Sequence, residues 1–136
     1  MSGRVSVGVD MVRVSEVMES LVWFGQRYAD RVFTAHEQAS CTGELEVRAR
    51  GLAARFAAKE ATMKVLRPTT DVPAWTSIEV QRQPAGWCEI SLSGAAQTLA
   101  EQAGIEDFSV SFTHEGDSAT AVVVAVSGER NHTNEL

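Results

Sequence analysis

Apolar residues change their spacing several times along this chain, and each change marks a new element. Val5, Val7 and Val9 alternate with Ser6, Gly8 and Asp10, the period of a half-buried strand, so the first strand is expected to end on an acid. From Ser15 to Tyr28 the period lengthens: Val17, Met18, Leu21, Val22 and Phe24 recur at helical spacing, with Ser15 the expected N-cap and Gly25 a break near the end. Thr34 precedes Glu37 by three residues, the capping-box pattern for a short helix through Ala35 to Ala39 that Thr42-Gly43 would close. Residues 44–66 form the longest helical candidate. There Leu45, Val47, Leu52, Phe56 and Met63 supply an apolar stripe, many alanines favour the helix, and Pro68 stops it.

Beyond Pro68 the period returns to two. Ile78 and Val80 alternate with polar neighbours, Pro84-Ala-Gly86 supplies a turn, and residues 87–92 alternate again, which predicts a hairpin. Ser93 to Ala103 reads as a helix closed by Gly104. Phe108, Val110, Phe112 and His114 then line one face of a strand, Glu115-Gly-Asp-Ser118 turns the chain, and Ala119 to Val126 gives a last apolar strand. Strands paired through hairpins, with helices out of strict alternation, predict an α+β fold in which a mainly antiparallel sheet packs on the long central helix. One domain is expected over residues 1–127, with residues 128–136, which have nothing to bury, as a mobile tail.

Composition narrows the setting. A chain of 136 residues encloses one core without disulfide or metal staples, and no apolar run approaches the roughly 18 residues needed to span a bilayer. The start, Met-Ser-Gly-Arg-Val, lacks the pattern of a secretory signal, so the expected location is cytoplasmic, with no membrane partner. Cys41 and Cys88 lack Cys-x-x-Cys spacing and are expected to be reduced and structural. A net charge of -6 argues against nucleic acid as a partner, and an anionic ligand would need a local basic patch or a bridging cation.

The central helix raises a chemical question. In Ala54 to Leu66, ARFAAKEATMKVL, Glu60 stands between Lys59 and Lys64, and Phe56, Glu60 and Lys64 share a face. One reading is an exposed Glu60–Lys64 salt bridge, worth about 0.3–0.5 kcal/mol. The other brings in Asp10 and His114, each at a strand end. Two carboxylates that meet repel unless a hard divalent ion such as Mg²⁺ lies between them, and a nearby lysine then suits a phosphate ligand. His114 has two readings as well, a phosphate contact or a satisfied core histidine. No Gly-x-x-x-x-Gly-Lys-Ser/Thr, Gly-x-Gly-x-x-Gly or Gly-x-Ser-x-Gly motif occurs, which argues against the nucleotide-binding folds and serine hydrolases that use them.

Gly8-Val-Asp10, Phe33-Thr-x-x-Glu37, Arg55-Phe-Ala-Ala-Lys-Glu60 with Lys64, and Ser111-Phe-Thr-His-Glu115 together resemble the holo-acyl-carrier-protein synthase family of 4′-phosphopantetheinyl transferases, from about Val7 to Val126. The resemblance implies transfer of the phosphopantetheine arm of coenzyme A to a serine of an apo acyl carrier protein, releasing adenosine 3′,5′-bisphosphate. It implies Asp10 and Glu60 as Mg²⁺ ligands, Glu60 as base, Lys64 and Lys59 facing phosphate, and Arg55, Thr113 and His114 as coenzyme A contacts. It also implies a homotrimer with sites between subunits, and carrier docking on a basic patch near Arg13, Arg27 and Arg31. Two departures stand out. Glu16 occupies a neighbourhood where members carry a basic residue, and Val65-Leu-Arg-Pro-Thr-Thr-Asp71 replaces a Gly-rich turn, with Arg67 as a substitute phosphate contact. Trp23, Phe24 and Tyr28 read as core residues or as interface residues. Two other functions fit the same residues: a carrier-binding module without catalysis, and a Mg²⁺-dependent pyrophosphate or phosphodiester hydrolase.

Overall fold

The first strand, β1 (Arg4–Arg13), runs three residues past its expected end, and its faces are the reverse of those the valine pattern suggests. In the computed structural model, which describes residues 3–128, Val5, Val7, Val9 and Met11 are 51–63% exposed, whereas Gly8 and Val12 are buried. The cause is the long helix α4 (Leu45–Leu66), which crosses β1 on the Gly8 side. A Cβ at Gly8 would lie 2.1 Å from the Ala61 carbonyl oxygen, so only glycine lets helix backbone and strand backbone approach this closely. Gly8→Ala is therefore expected to destabilise the fold by about 1–3 kcal/mol, the cost of overpacking, read as a lower denaturant midpoint at unchanged slope.

Between these elements lie α1 (Val14–Phe24), α2 (Gln26–Val32) and α3 (Ala35–Ser40). The single helix expected from Ser15 to Tyr28 is two helices, because Gly25 takes φ +58° and turns the chain. Ser15 is not the N-cap. Arg13 holds that position without a side-chain cap bond, and α1 is capped from the far end of the sequence: Ser15 N–H donates to Asp117 Oδ1 (2.9 Å) and Val14 N–H to the Asp117 carbonyl (2.8 Å). The Thr34/Glu37 capping box of α3 forms as expected.

α4 is enclosed on nearly every side, but not by the expected stripe. Leu45 and Val47 are exposed, and Ala49, Ala53, Ala54, Ala57, Ala58 and Ala61 carry the burial with Leu52, Val65 and Leu66. Small side chains let a helix pack closely on one side against the sheet and on the other against α1, α3 and β2 (Ile78–Arg82). A 3₁₀ turn at Trp75–Ser77 leads into β2, which pairs with β3 (Cys88–Leu92) as the expected hairpin. α5 (Gly94–Gln102), β4 (Ile105–Glu115) and β5 (Ser118–Ser127) complete the described chain.

The main sheet is antiparallel in the order β1-β5-β4. Register places Asp10, Ala121 and Phe112 in one row across it and Val12, Ala119 and His114 in the next, so these residues share the face turned to α4. On α4's other flank Tyr28, Phe33, Phe56 and Trp75 form a chain of edge-to-face contacts at 6.0, 6.3 and 5.1 Å. Gly128 donates to the Gly104 carbonyl; the rest of the expected tail, residues 129–136, lies outside the described residues. No described helix is long and apolar enough to cross a membrane.

Candidate active site

The close approach at Gly8 brings the end of β1 alongside the middle of α4, and with it Asp10 to Glu60. Of the residues in the second reading, the fold brings Asp10 to Glu60 and Lys64 but not His114. Lys64 makes no salt bridge with Glu60 among the described residues; its ammonium reaches β1, donating to the Val9 carbonyl (2.9 Å) and standing 3.8 Å from Asp10 Oδ1. Glu60, half-buried, lacks that compensation. Burial and then the Asp10 carboxylate push its carboxyl up to about 7, with Lys64 opposing and Glu16 adding to the rise. The two carboxyls lie close enough that a protonated Glu60 would hydrogen-bond Asp10. Tyr28 flanks the pair, its hydroxyl pushed up to about 12 by burial and then by the Glu60 charge.

Two adjacent carboxylates with surplus negative charge fit a divalent cation. No group of three or more His, Cys, Asp or Glu gathers in ligand geometry among the described residues; an ion held by Asp10 and Glu60 would take two protein carboxylates, a number within the range of Mg²⁺.

Lys59 does not face phosphate, contrary to expectation. It points to the opposite side of α4 and is fully buried. Its Nζ donates to the Trp75 and Ile78 carbonyls (3.0 and 2.7 Å) and lies 2.6 Å from Glu37 Oε1. Glu37, equally buried, also accepts from the Thr34 and Val80 amides (2.8 and 2.7 Å). The Phe33-Thr-x-x-Glu37 motif thus meets the lysine of Arg55-Phe-Ala-Ala-Lys-Glu60 inside the protein. Burial lowers the Lys59 pKa, and Glu37 works against that shift.

Arg55 and His114 meet elsewhere. They line a cavity of about 310 Å³ with Arg50, Arg82 and Phe112. Arg55 Nη1 donates to the Gly51 carbonyl (3.1 Å), its guanidinium lies 5.8 Å from the Phe112 ring centre, and its buried Nε has no partner among the described residues. Five residues of helix separate Arg55 from Glu60, about 7.5 Å of rise, so the basic cavity and the carboxylate pair lie along one helix. Sequence reasoning missed Arg50 and Arg82. No motif contains them, and only tertiary packing brings the end of β2 to α4.

The other expected contacts separate. Thr113 is exposed, with its register partners Thr120 and Met11, on the sheet face away from α4, whereas His114 is on the α4 side. Arg67 is exposed in a left-handed cap at the end of α4 (φ +50°). Arg13, Arg27 and Arg31 are all exposed, but Arg13 precedes the start of α1 while Arg27 and Arg31 follow its end, about 16 Å of helix away. Arg27 and Arg31 line a groove of about 400 Å³ with Ser20, Phe24 and Tyr28. Trp23 and Phe24 are not core residues: they are 78% and 65% exposed, at the last turn of α1, beyond its last buried residue, Leu21.

Known proteins resemble this chain over most of its length. A holo-[acyl-carrier-protein] synthase of Herpetosiphon aurantiacus is 39% identical over 127 residues, covering 88% of this chain and 96% of that protein. One from Chloroflexus aurantiacus is 41% identical over 133 residues, covering 89% and 97%. Among solved structures, the ACPS–CoA complex of Chronobacterium ammoniagenes superposes with a TM-score of 0.79 at 30% identity, over 93% of this chain and 99% of that one. Residues 6–123 match the family model itself, and the chain belongs to the 4′-phosphopantetheinyl transferase superfamily.

Proposed function

We propose that this protein is a holo-acyl-carrier-protein synthase, which transfers the 4′-phosphopantetheine arm of coenzyme A to a serine of an apo carrier protein and releases adenosine 3′,5′-bisphosphate. One observation carries the reading to this chain's own residues: the Asp10–Glu60 carboxylates, with Lys64 beside them, stand one and a half helical turns from a cavity rich in arginine. That spacing suits a ligand with a diphosphate at one end and a separate phosphate at the other. Asp10 and Glu60 would hold Mg²⁺, which when bound neutralises charge on the diphosphate oxygens. Lys64 adds a point charge against the same oxygens. Glu60 would also be the carboxylate that accepts the serine proton as the hydroxyl attacks phosphorus.

Arg55, Arg82 and His114, which line that cavity, suit the 3′-phosphate of coenzyme A. Arg82→Ala is then expected to raise the KM for coenzyme A about tenfold or more, the worth of a charge-assisted hydrogen bond, while kcat changes little. Dephospho-coenzyme A, which lacks that phosphate, should not distinguish the variant from the parent.

The outward face of the main sheet supports the homotrimer. Val5, Val7, Val9 and Met11 of β1 lie beside Val122 and Val126 of β5, all substantially exposed, a stripe that further copies of the chain would cover. Thr113 lies on that face and would meet a neighbouring subunit there. The carrier docks on the groove between Arg27 and Arg31, with Trp23 and Phe24 as apolar contacts and the acidic surface of the carrier on the arginines. The reaction belongs in the cytoplasm, in keeping with two free cysteines. Whether the carrier belongs to fatty acid, polyketide or peptide synthesis is read by assaying each apo carrier in turn.

Incubation with coenzyme A, Mg²⁺ and an apo carrier, followed by mass spectrometry of the carrier, tests the proposal. A gain of one phosphopantetheine is the expected result. Consumption of coenzyme A without that gain would make the protein a hydrolase, and inertness a binding module.

A further inference from the structure

We infer that Asp117 is a positioning residue for carrier recognition, acting through the start of α1; this rests on the docking of the carrier along α1 and α2 proposed above. Asp117 lies in the turn between β4 and β5, three residues after His114, and more than a hundred residues from the helix it caps. Three hydrogen bonds join them: Val14 N–H to the Asp117 carbonyl (2.8 Å), Ser15 N–H to Oδ1 (2.9 Å) and Ser15 Oγ–H to Oδ2 (2.5 Å). No side chain of α1's own N-cap replaces them, and a carboxylate at this position also complements the positive end of the helix.

The consequences of losing this cap fall unequally on the two sides of the turn. β4 and β5 stay in register through their own ladder as far as Glu115 and Ser118, so His114 and the arginine cavity keep their geometry. α1 retains its buried Val14, Val17 and Leu21, with Met18 packed beside them, and the β1–β5 ladder that ends at Arg13. Those apolar contacts hold the helix to the core but fix its tilt and axial position less strictly than directed hydrogen bonds do. The helix follows Asp10 by four residues, carries Glu16 toward Glu60, and ends in Trp23 and Phe24 at the docking groove. A loosened first turn therefore shifts the docking surface relative to the carboxylate pair, which the carrier serine must reach.

Steady-state kinetics of Asp117→Ala, with carrier and coenzyme A varied separately, test this. The expected result is a KM for the carrier raised about fivefold, the equivalent of one lost helix cap, with the KM for coenzyme A within twofold of the parent. Asp117→Asn keeps an acceptor for the Ser15 amide and should recover most of the loss. An unchanged carrier KM, or equal increases in both KM values, overturns the proposal. Should Asp117→Ala fold too poorly to assay, Ser15→Ala, which removes only the hydroxyl bond, must raise the carrier KM and leave that for coenzyme A unmoved; no change there overturns it equally. Arg27→Ala separates this proposal from the docking reading. If it raises the carrier KM and Asp117→Ala does not, only the positioning role fails; if it has no effect, the docking reading fails and the proposal with it.

Discussion

Glu60→Gln is expected to reduce phosphopantetheine transfer by at least about 10²- to 10³-fold, the usual cost of removing one preorganised electrostatic group from an active site, while leaving the fold intact. Glutamine matches the shape of glutamate and removes its charge. In the parent protein burial and Asp10 raise the Glu60 carboxyl to about 7, from an ordinary 4.5. Folding therefore favours the protonated form. This contribution to stability is fully present below pH 4.5 and is lost as pH rises through 7. The metal-free parent should thus lose thermal stability over that window, and Mg²⁺ should restore it. Glu60→Gln should show neither the decline nor the response to Mg²⁺. Near-normal turnover of the variant in saturating Mg²⁺ would remove Glu60 from the mechanism.

Lys59→Ala is expected to destabilise the protein by about 3–5 kcal/mol, because it strands the fully buried Glu37 carboxylate without its cation. Folded domains have only about 5–15 kcal/mol in total, so the variant should unfold at a markedly lower denaturant concentration than the parent. Lys59→Met keeps most of the side-chain volume and should be nearly as damaging, which separates loss of charge from loss of packing. Combining Lys59→Met with Glu37→Gln should recover part of the loss. Chemical denaturation of the two single variants and the double variant measures the coupling; a loss below about 1 kcal/mol for Lys59→Ala would mean the pair does not hold α3 and β2 to α4.

The elements of the fold were largely legible, because their signals are local. The capping box at Thr34, the hairpin turn at Pro84-Ala-Gly86 and the long helix before Pro68 each rest on neighbours within a few residues. The faces were harder to read. Period-two alternation in β1 shows that one side differs from the other, not which side the helix covers, and a glycine that admits a helix backbone looks in sequence like a polar gap among valines. Helix α4 defeats stripe-reading for a related reason: alanine on every side gives almost no contrast. The site was legible in two degrees. Asp10, Glu60 and Lys64 sit in motifs that survive in the chain as short strings, whereas Arg50 and Arg82 have no local signature. Lys59 and Glu60 are adjacent in sequence, yet a helix turns neighbours about 100° apart, and one faces the interior while the other faces Asp10.

The alanine face of α4 and the bare backbone of Gly8 put strand and helix in main-chain contact. The gap between Asp10 and Glu60 is thereby set by that contact, as the jaw opening of a vice is fixed by its frame, and an ion held between them as proposed would have to fit it. Such a frame has little give, so cations that need a wider shell than Mg²⁺, Ca²⁺ among them, would have to force apart two elements that already touch.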